Sequence, residues 1–149
     1  MRLTLERLSK QFKNRIAVEN VNAELTEGIY GFLGANGAGK TTLMQMICGI
    51  VAPTSGEVKV NGKNNTEMGE EFRDLLGYLP QEFGYTPGFT AEDFMLYIAS
   101  VKGLDPRYAR RRTRELMKLV SLEGDMKRKI RTFSGGMKRR LGIAQALLN

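Results

Sequence analysis

Nine residues, Gly34-Ala35-Asn36-Gly37-Ala38-Gly39-Lys40-Thr41-Thr42, constrain the fold of this chain more than any other stretch. They match the pattern G-x-x-x-x-G-K-[ST], whose glycines let successive backbone N–H groups point inward. The apolar run Ile29–Leu33 predicts a buried strand before them, and Thr41–Cys48 predicts a helix that ends at Gly49. Since a helix N-terminus favours anions, the three elements together predict a phosphate-binding loop. Lys40 would contact the outer phosphates, and the Thr41 hydroxyl would bind Mg²⁺. The structural alternative is a glycine-rich turn before an ordinary core helix.

The composition fits a single globular domain. The chain has 149 residues, of which 42% are hydrophobic and 26% are charged, and no apolar run approaches the length of a membrane span. It contains no histidine, which excludes histidine-based catalysis and histidine metal sites. One cysteine, Cys48, excludes an internal disulfide. We expect Cys48 to be a small core residue and a cytosolic setting to be the default.

Positive charge is concentrated towards the C-terminal end. Residues 1–100 carry 9 basic and 12 acidic side chains, whereas residues 101–149 carry 14 basic and 4 acidic ones. Most of the excess lies in three runs, at 107–114, 127–129 and 138–140. Such asymmetry can indicate a nucleic acid or an anionic membrane surface as partner, and a solvated helix face is the plainer interpretation.

The pattern of apolar residues predicts the remaining elements in chain order. Alternation indicates strands at 2–8 and 16–25, which would form a small antiparallel layer over a nucleotide base, and another strand at 57–60 before the tight turn Asn61-Gly62. A buried strand is predicted at 76–80. Helices are predicted at 67–75, at 91–102 after a capping box at Thr90–Asp93, at 106–120 after Asp105, and from Ser134 onward.

Three short stretches of the chain are informative when they are considered together. They are the loop Gly34–Thr42, Tyr78-Leu79-Pro80-Gln81-Glu82, and Phe133-Ser134-Gly135-Gly136-Met137. In this combination the whole chain resembles the nucleotide-binding domain of an ATP-binding cassette (ABC) ATPase, and most of all the bacterial ATPases that drive small export permeases. The resemblance implies an α/β fold, with a P-loop NTPase core, an N-terminal antiparallel β layer and an inserted helical subdomain. We expect the β layer and P-loop core at 1–89, the helical subdomain at 90–130, and the signature motif with its helix at 131–149.

The resemblance also implies roles for individual residues. Phe12 would stack on adenine, although an ordinary core aromatic is the alternative. Gln81 would be the Q-loop glutamine that reaches Mg²⁺ and the attacking water. The implied catalytic residues are therefore Lys40 and Gln81. The implied metal ligands are Thr41 and Gln81. Ser134-Gly135-Gly136 would be the signature motif, which contacts the γ-phosphate bound by a second protomer; a plain helix cap is its alternative.

Some residues depart from the family pattern. Ala35 replaces the commoner proline, and Phe133 and Met137 replace the commoner leucine and glutamine. In the family, a strand ending in the Walker-B aspartate follows residues 143–149, and the catalytic glutamate comes after it, so both would lie past Asn149. We therefore expect this truncated chain to bind ATP with little hydrolysis. We also expect an exposed apolar sheet edge beside 29–33 to cause self-association, altered packing or modest stability.

The resemblance implies an ATP-binding subunit of an ABC transporter that uses ATP and Mg²⁺. Its expected partners are a second nucleotide-binding domain, in a head-to-tail dimer, and a membrane permease subunit, at the inner face of the cell membrane. No specific nucleic acid is expected. The alternatives are a soluble ABC ATPase acting on the ribosome or on nucleic acid, and a non-hydrolysing regulatory module. We expect the basic helix at 103–119 to meet the permease, so that reversing Arg110, Arg111 and Arg112 to glutamate would impair coupling or membrane association but spare nucleotide binding.

Overall fold

The alternating residues at the start of the chain form a long hairpin in the computed structural model, which describes residues 1–81, 84–86 and 88–148. Strand β1 (Leu3–Phe12) pairs antiparallel with β2 (Arg15–Leu25) on one side and with β3 (Ser55–Val60) on the other. The short β4 (Lys63–Asn64) follows the Asn61-Gly62 turn, and the sheet order is β2-β1-β3-β4. The predicted antiparallel layer is confirmed.

Strand β1 extends further than the alternation predicted, because it contains a bulge. Its pairing register with β2 shifts between Leu5 and Leu8, and Arg7 has a φ of +47° there. The Asn22 side chain accepts a hydrogen bond from the Arg7 N–H at 2.8 Å, which satisfies this backbone donor. The bulge brings both Leu5 and Leu8 into the core, although they are three positions apart.

Helix α1 (Lys40–Ile47) lies against this sheet. Its Met46 is buried with Leu5, Leu8, Val18 and Val58. The buried Asn65 donates from its amide to the carbonyls of Met46 and Ile47, at 3.4 and 3.3 Å, and so ties the end of α1 to the residues after β4. Helix α2 (Glu70–Leu75) is shorter than the predicted 67–75.

The second half of the described chain is helical. It consists of α3 (Ala91–Val101), α4 (Pro106–Leu119) and α5 (Gly135–Ala146), with short 3₁₀ turns at Glu123–Asp125 and Ile130–Thr132. The capping box predicted at Thr90 and Asp93 is present, and Asp105 caps α4 as predicted. The three helices share one apolar core, whose largest fully buried members are Met95, Leu116, Met117, Leu122, Ile130, Leu141 and Leu148.

Two predicted strands are wrong. Residues 29–33 and 76–80 form no strand, and Ile29 and Leu33 are almost completely exposed. The physical reason is that a strand needs a hydrogen-bonded neighbour, and neither segment has one among the residues that the structure describes.

By its contacts the chain divides into two compact units, Met1–Leu75 and Leu76–Asn149. The first unit holds the sheet, the loop Gly34–Thr42 and α1, and the second holds α3, α4 and α5. Along the described part of the chain, no helix combines the length and the apolar character needed to cross a membrane.

Candidate functional site

The loop Gly34–Thr42 is built so that the start of α1 stays open. Gly37 and Gly39 have φ values of +85° and +84°, a left-handed conformation that glycine adopts without steric cost. Gly39 is the N-cap of α1, and no side chain caps the helix there. The first hydrogen bond of the helix runs from the Leu43 N–H to the Gly39 carbonyl at 2.8 Å. The N–H groups of the first turn are therefore left to an external acceptor, for which an anion is the best suited.

Lys40 places its ammonium group beside this open end. Its Nζ donates to the carbonyls of Gly34 and Ala35, at 2.6 and 2.7 Å, so the side chain folds back over the loop. A phosphate would offer Nζ a charged acceptor in place of two neutral carbonyls, and hydrogen bonds to charged acceptors are the stronger ones. The predicted phosphate-binding residues are thus brought together in one loop.

The loop is positioned by strand β2. A Cβ on Gly39 would lie 2.1 Å from the carbonyl oxygen of Ala17, so only a glycine lets the loop approach β2 this closely. Beside this approach, Arg15 at the start of β2 donates from Nη2 to the Gly37 carbonyl at 3.4 Å. Strand β2 therefore contacts the loop at both Gly37 and Gly39.

Arg15 is a residue that the sequence did not single out. It follows Lys13 and Asn14 in a polar turn, where a basic residue is ordinary, and its contact with the loop spans 22 positions. Its guanidinium is the second cationic group, after Lys40, that the structure brings to the loop.

Phe12 lies at the tip of the same hairpin. Its side chain is 47% exposed, so it is not the ordinary core aromatic that was the alternative. The ammonium of Lys10 stands 5.1 Å from the centre of its ring, and the same ammonium donates to the Ala52 carbonyl at 2.6 Å. An exposed ring held at the end of a hairpin is compatible with stacking on a base, and the adenine-stacking role stays a prediction.

The residues assigned to Mg²⁺ lie in different units. Thr41 is exposed in the first turn of α1, and Gln81 is exposed in an irregular segment of the second unit. Glu82, which follows Gln81 in its motif, lies outside the described residues. Across the described positions, no cluster of three or more histidine, cysteine or acidic side chains could hold a metal by itself. Magnesium at nucleotide sites takes most of its ligands from phosphate and water oxygens, and the assignment of Thr41 and Gln81 as its protein ligands stays a prediction.

Ser134, Gly135 and Gly136 form a second helix start. Ser134 is the N-cap of α5, and its Oγ accepts a hydrogen bond from the Met137 N–H at 3.2 Å. All three residues are exposed, and a Cβ on Gly135 would meet nothing within 4 Å. Phe133 anchors this end of α5, because its side chain is buried while the next three residues face solvent. The helix start is therefore firmly placed and accessible to an anion.

Two further side chains are structural. Cys48 is half-buried at the end of α1 and belongs to neither apolar core, so it is less buried than the core residue that the sequence predicted. Burial raises the pKa of its thiol. In the basic run, Arg112 differs from its neighbours. Its Nη2 donates to the Leu147 carbonyl at 3.3 Å and so holds the end of α5.

Comparison with known proteins agrees with this arrangement. The family model for ABC transporters matches residues 18–149. The chain is 38% identical over 148 residues to the uncharacterized ABC transporter ATP-binding protein YxlF of Bacillus subtilis, covering 99% of this chain and 48% of that protein. It is 36% identical over 143 residues to the bacitracin transport ATP-binding protein BcrA of Bacillus licheniformis, covering 95% of this chain and 46% of that protein. The chain thus spans about half the length of these curated relatives.

A solved structure shows the same fold. The dimeric structure of MJ0796, a bacterial ABC transporter cassette, superposes with a TM-score of 0.83 at 28% identity, over 99% of this chain and 69% of that one. This likeness confirms the predicted α/β fold of the ABC ATPase type. Because the family model covers most of its length, the chain belongs to the ABC transporter family.

Proposed function

We propose that this chain is the ATP-binding part of an ABC transporter subunit, in which ATP binding and hydrolysis drive transport across a membrane. One observation carries the proposal. Lys40 Nζ lies 2.6 and 2.7 Å from two carbonyls of the glycine loop, at the uncapped start of α1. A cationic donor and an open helix N-terminus, next to left-handed glycines, together suit a polyphosphate.

Each residue has a defined task in this proposal. Lys40 and the loop N–H groups hold the outer phosphates, and the Thr41 hydroxyl binds the Mg²⁺ that accompanies them. Bound Mg²⁺ would neutralise charge on the phosphates during hydrolysis. Phe12 stacks on the adenine, and Gln81 orients the attacking water. Arg15 supports the loop through the Gly37 carbonyl.

The exposed start of α5 supports a partnership between two copies. Ser134, Gly135 and Gly136 offer a hydroxyl and unobstructed backbone at a helix N-terminus, which suits the γ-phosphate of a nucleotide bound to a second domain. We infer a head-to-tail dimer closed by ATP, whose opening after hydrolysis moves a permease subunit at the inner face of the membrane. The relatives BcrA and MJ0796 are named as transport components, which favours this function over the ribosome or nucleic-acid alternative. Export as the direction of transport, and slow ATP turnover by this chain alone, stay predictions.

The test is nucleotide binding by isothermal titration calorimetry. Lys40→Ala should weaken ATP binding roughly tenfold or more, because a charge-assisted contact to phosphate is lost. Lys63→Ala is the matched control, since Lys63 is an exposed lysine of the same unit with only a 3.9 Å ion pair to Glu71. Equal ATP affinity in the two variants would refute the proposal.

Titration with inorganic triphosphate distinguishes the contribution of the base to binding from that of the phosphates. Phe12→Ala should weaken the binding of ATP and leave the binding of triphosphate unchanged, because stacking requires a base. Parallel losses for both ligands would assign Phe12 a structural role instead.

A further inference from the structure

Helix α4 carries a continuous row of cations on its outer face. Arg107, Arg110, Arg111, Arg114 and Lys118, here called the basic stripe, are all exposed. They recur at intervals of three and four residues, so they share one side of the helix. From first to last the stripe extends about 16 Å, at 1.5 Å of rise per residue.

The orientation of this face is fixed by the opposite one. Ala109, Thr113, Leu116 and Met117 are buried in the core of the second unit. The basic stripe therefore faces solvent because α4 is locked by its apolar side. Arg112 is not part of the stripe, since it holds the Leu147 carbonyl.

The stripe works against the stability of its own helix. Like charges three and four positions apart, such as Arg110 with Arg114 and Arg114 with Lys118, repel one another and destabilise an isolated helix. Within the described residues, Glu115 supplies the one carboxylate partner of the stripe, 3.8 Å from Arg111 Nε. A merely solvated helix gains from alternating signs, so a row of five cations with one carboxylate partner among the described residues points to an anionic partner.

The shape and chemistry of the stripe favour a phosphate-bearing surface. The exposed side of a helix is convex, so it can contact a plane of charges, whereas a single small anion needs a concave site. Four of the five cations are arginines, whose guanidinium groups match phosphate oxygens bidentately. Tyr108 on the same helix is half-buried with the Arg111 guanidinium 5.6 Å from its ring centre, so its ring offers bases no open stacking platform.

We propose that the basic stripe binds the anionic headgroups of a phospholipid membrane directly, independently of any permease. The inference rests on the proposed function, which places the chain at a membrane surface. Rows of four to eight basic residues on a helix are the usual feature of proteins that adhere to anionic lipid. The five cations lie within two Debye lengths at physiological salt, and so they act on the lipid surface together.

Vesicle co-sedimentation tests this proposal. The chain should bind phosphatidylcholine vesicles that contain about a third phosphatidylserine, and should not bind pure phosphatidylcholine vesicles. Raising the salt from 0.1 M to 1 M shortens the Debye length from about 10 Å to about 3 Å and should release it. Absence of binding to the anionic vesicles, or equal binding to both kinds, would overturn the proposal.

Matched charge reversals locate the contact. Arg107→Glu, Arg110→Glu and Arg114→Glu together should lower the vesicle partition coefficient roughly tenfold or more. Arg131→Glu, Arg139→Glu and Arg140→Glu change three exposed arginines of the same unit by the same total charge, and should have a much smaller effect. Equal losses would mean that net charge, and not the stripe, attracts the membrane.

Two further measurements keep the outcomes distinct. The neutral triple variant, Arg107→Gln with Arg110→Gln and Arg114→Gln, preserves polar side chains, and circular dichroism melting would show that it is folded. ATP affinity should be unchanged in this variant. If ATP fails to bind even to the unmodified chain, the proposed function is refuted, and the vesicle result still decides the lipid proposal by itself. Displacement of the chain from anionic vesicles by RNA, with RNA binding lost in the stripe variants alone, would reassign the stripe to nucleic acid and overturn the lipid proposal.

Discussion

Replacing Gly39 by alanine should strongly destabilise the first unit. The φ of +84° costs a residue with a Cβ about 1–2 kcal/mol. The added Cβ would also lie 2.1 Å from the Ala17 carbonyl oxygen and 3.2 Å from the Val18 side chain, so β2 and the loop must separate. Overpacking of this kind costs roughly 1–3 kcal/mol more. The expected total is therefore about 2–5 kcal/mol.

Gly37→Ala is a matched control for this substitution. Gly37 has almost the same φ, +85°, but the nearest atom to its added Cβ would be Arg15 Nη2, at 3.5 Å and at the flexible end of a side chain. Both substitutions restrict the unfolded chain equally, so this contribution cancels in the comparison. Gly37→Ala should cost only the backbone contribution, about 1–2 kcal/mol. The difference between the two variants measures the close approach of the loop to β2.

Hydrogen exchange read by mass spectrometry is the suitable assay, because the chain has two units. Peptides from β1, β2 and α1 should lose protection in Gly39→Ala far more than in Gly37→Ala. Peptides from α3 and α4 serve as an internal reference for the second unit. Equal loss of protection in the two variants would refute the reasoning, since it would show that left-handed strain alone accounts for the effect.

Three further substitutions test other contacts. Asn65→Asp should lower the free energy of unfolding in urea by roughly 2–4 kcal/mol, because the carboxylate cannot donate the two hydrogen bonds of Asn65 and places negative charge at the end of α1. The loss should be larger than for Asn65→Ala, and equal losses would contradict this reasoning. Hydrogen bonds from the Thr90 hydroxyl and N–H hold the pKa of Asp93 below its usual value of 3.8. The ionised carboxylate therefore stabilises the fold above about pH 4, and this contribution is lost as the pH falls through the lowered pKa of the folded state. Asp93→Asn should remove that part of the acid sensitivity in thermal melts, and an unchanged pH profile would exclude it. Arg112→Ala should lower the free energy of unfolding by roughly 1–2 kcal/mol, because its hydrogen bond to the end of α5 is lost. Arg110→Ala should change the same quantity by no more than about 0.5 kcal/mol. Similar melting temperatures for the two variants would argue against this difference.

The helices could be predicted well because their signals are local. Thr90 and Asp93 satisfy each other's groups within four residues, and Asp105 accepts from two N–H groups of the next turn. Such contacts need no distant partner, so the sequence alone predicts where α3 and α4 begin. The hairpin turn at Asn61-Gly62, where both residues have positive φ, was predictable for the same reason.

The errors concern partners that are distant in sequence. An apolar run such as Ile29–Leu33 predicts that its side chains should be buried, but whether a strand forms depends on a neighbour that the run does not encode. In the candidate site, Arg15 was missed because its contact with Gly37 arises only when the hairpin folds over the loop. In the basic run at 107–114, the sequence did not show that the arginines differ in role: Arg112 donates to the end of α5, whereas Arg110 faces solvent. Reversing Arg110, Arg111 and Arg112 together would therefore mix a surface effect with a packing effect.

Within the first unit, the loop Gly34–Thr42 lies against β2. Residues 29–33 form no strand, and yet the loop keeps its left-handed glycines and its Lys40 contacts. What holds it is the approach of Gly39 to Ala17, together with the burial of Met46 of α1 against the sheet. Phe12 lies on the same hairpin, so the β layer that supports the phosphate loop also carries the residue proposed for the base. A distortion of the hairpin should therefore weaken the binding of both parts of the nucleotide together, whereas a change at Phe12 alone should affect only the base.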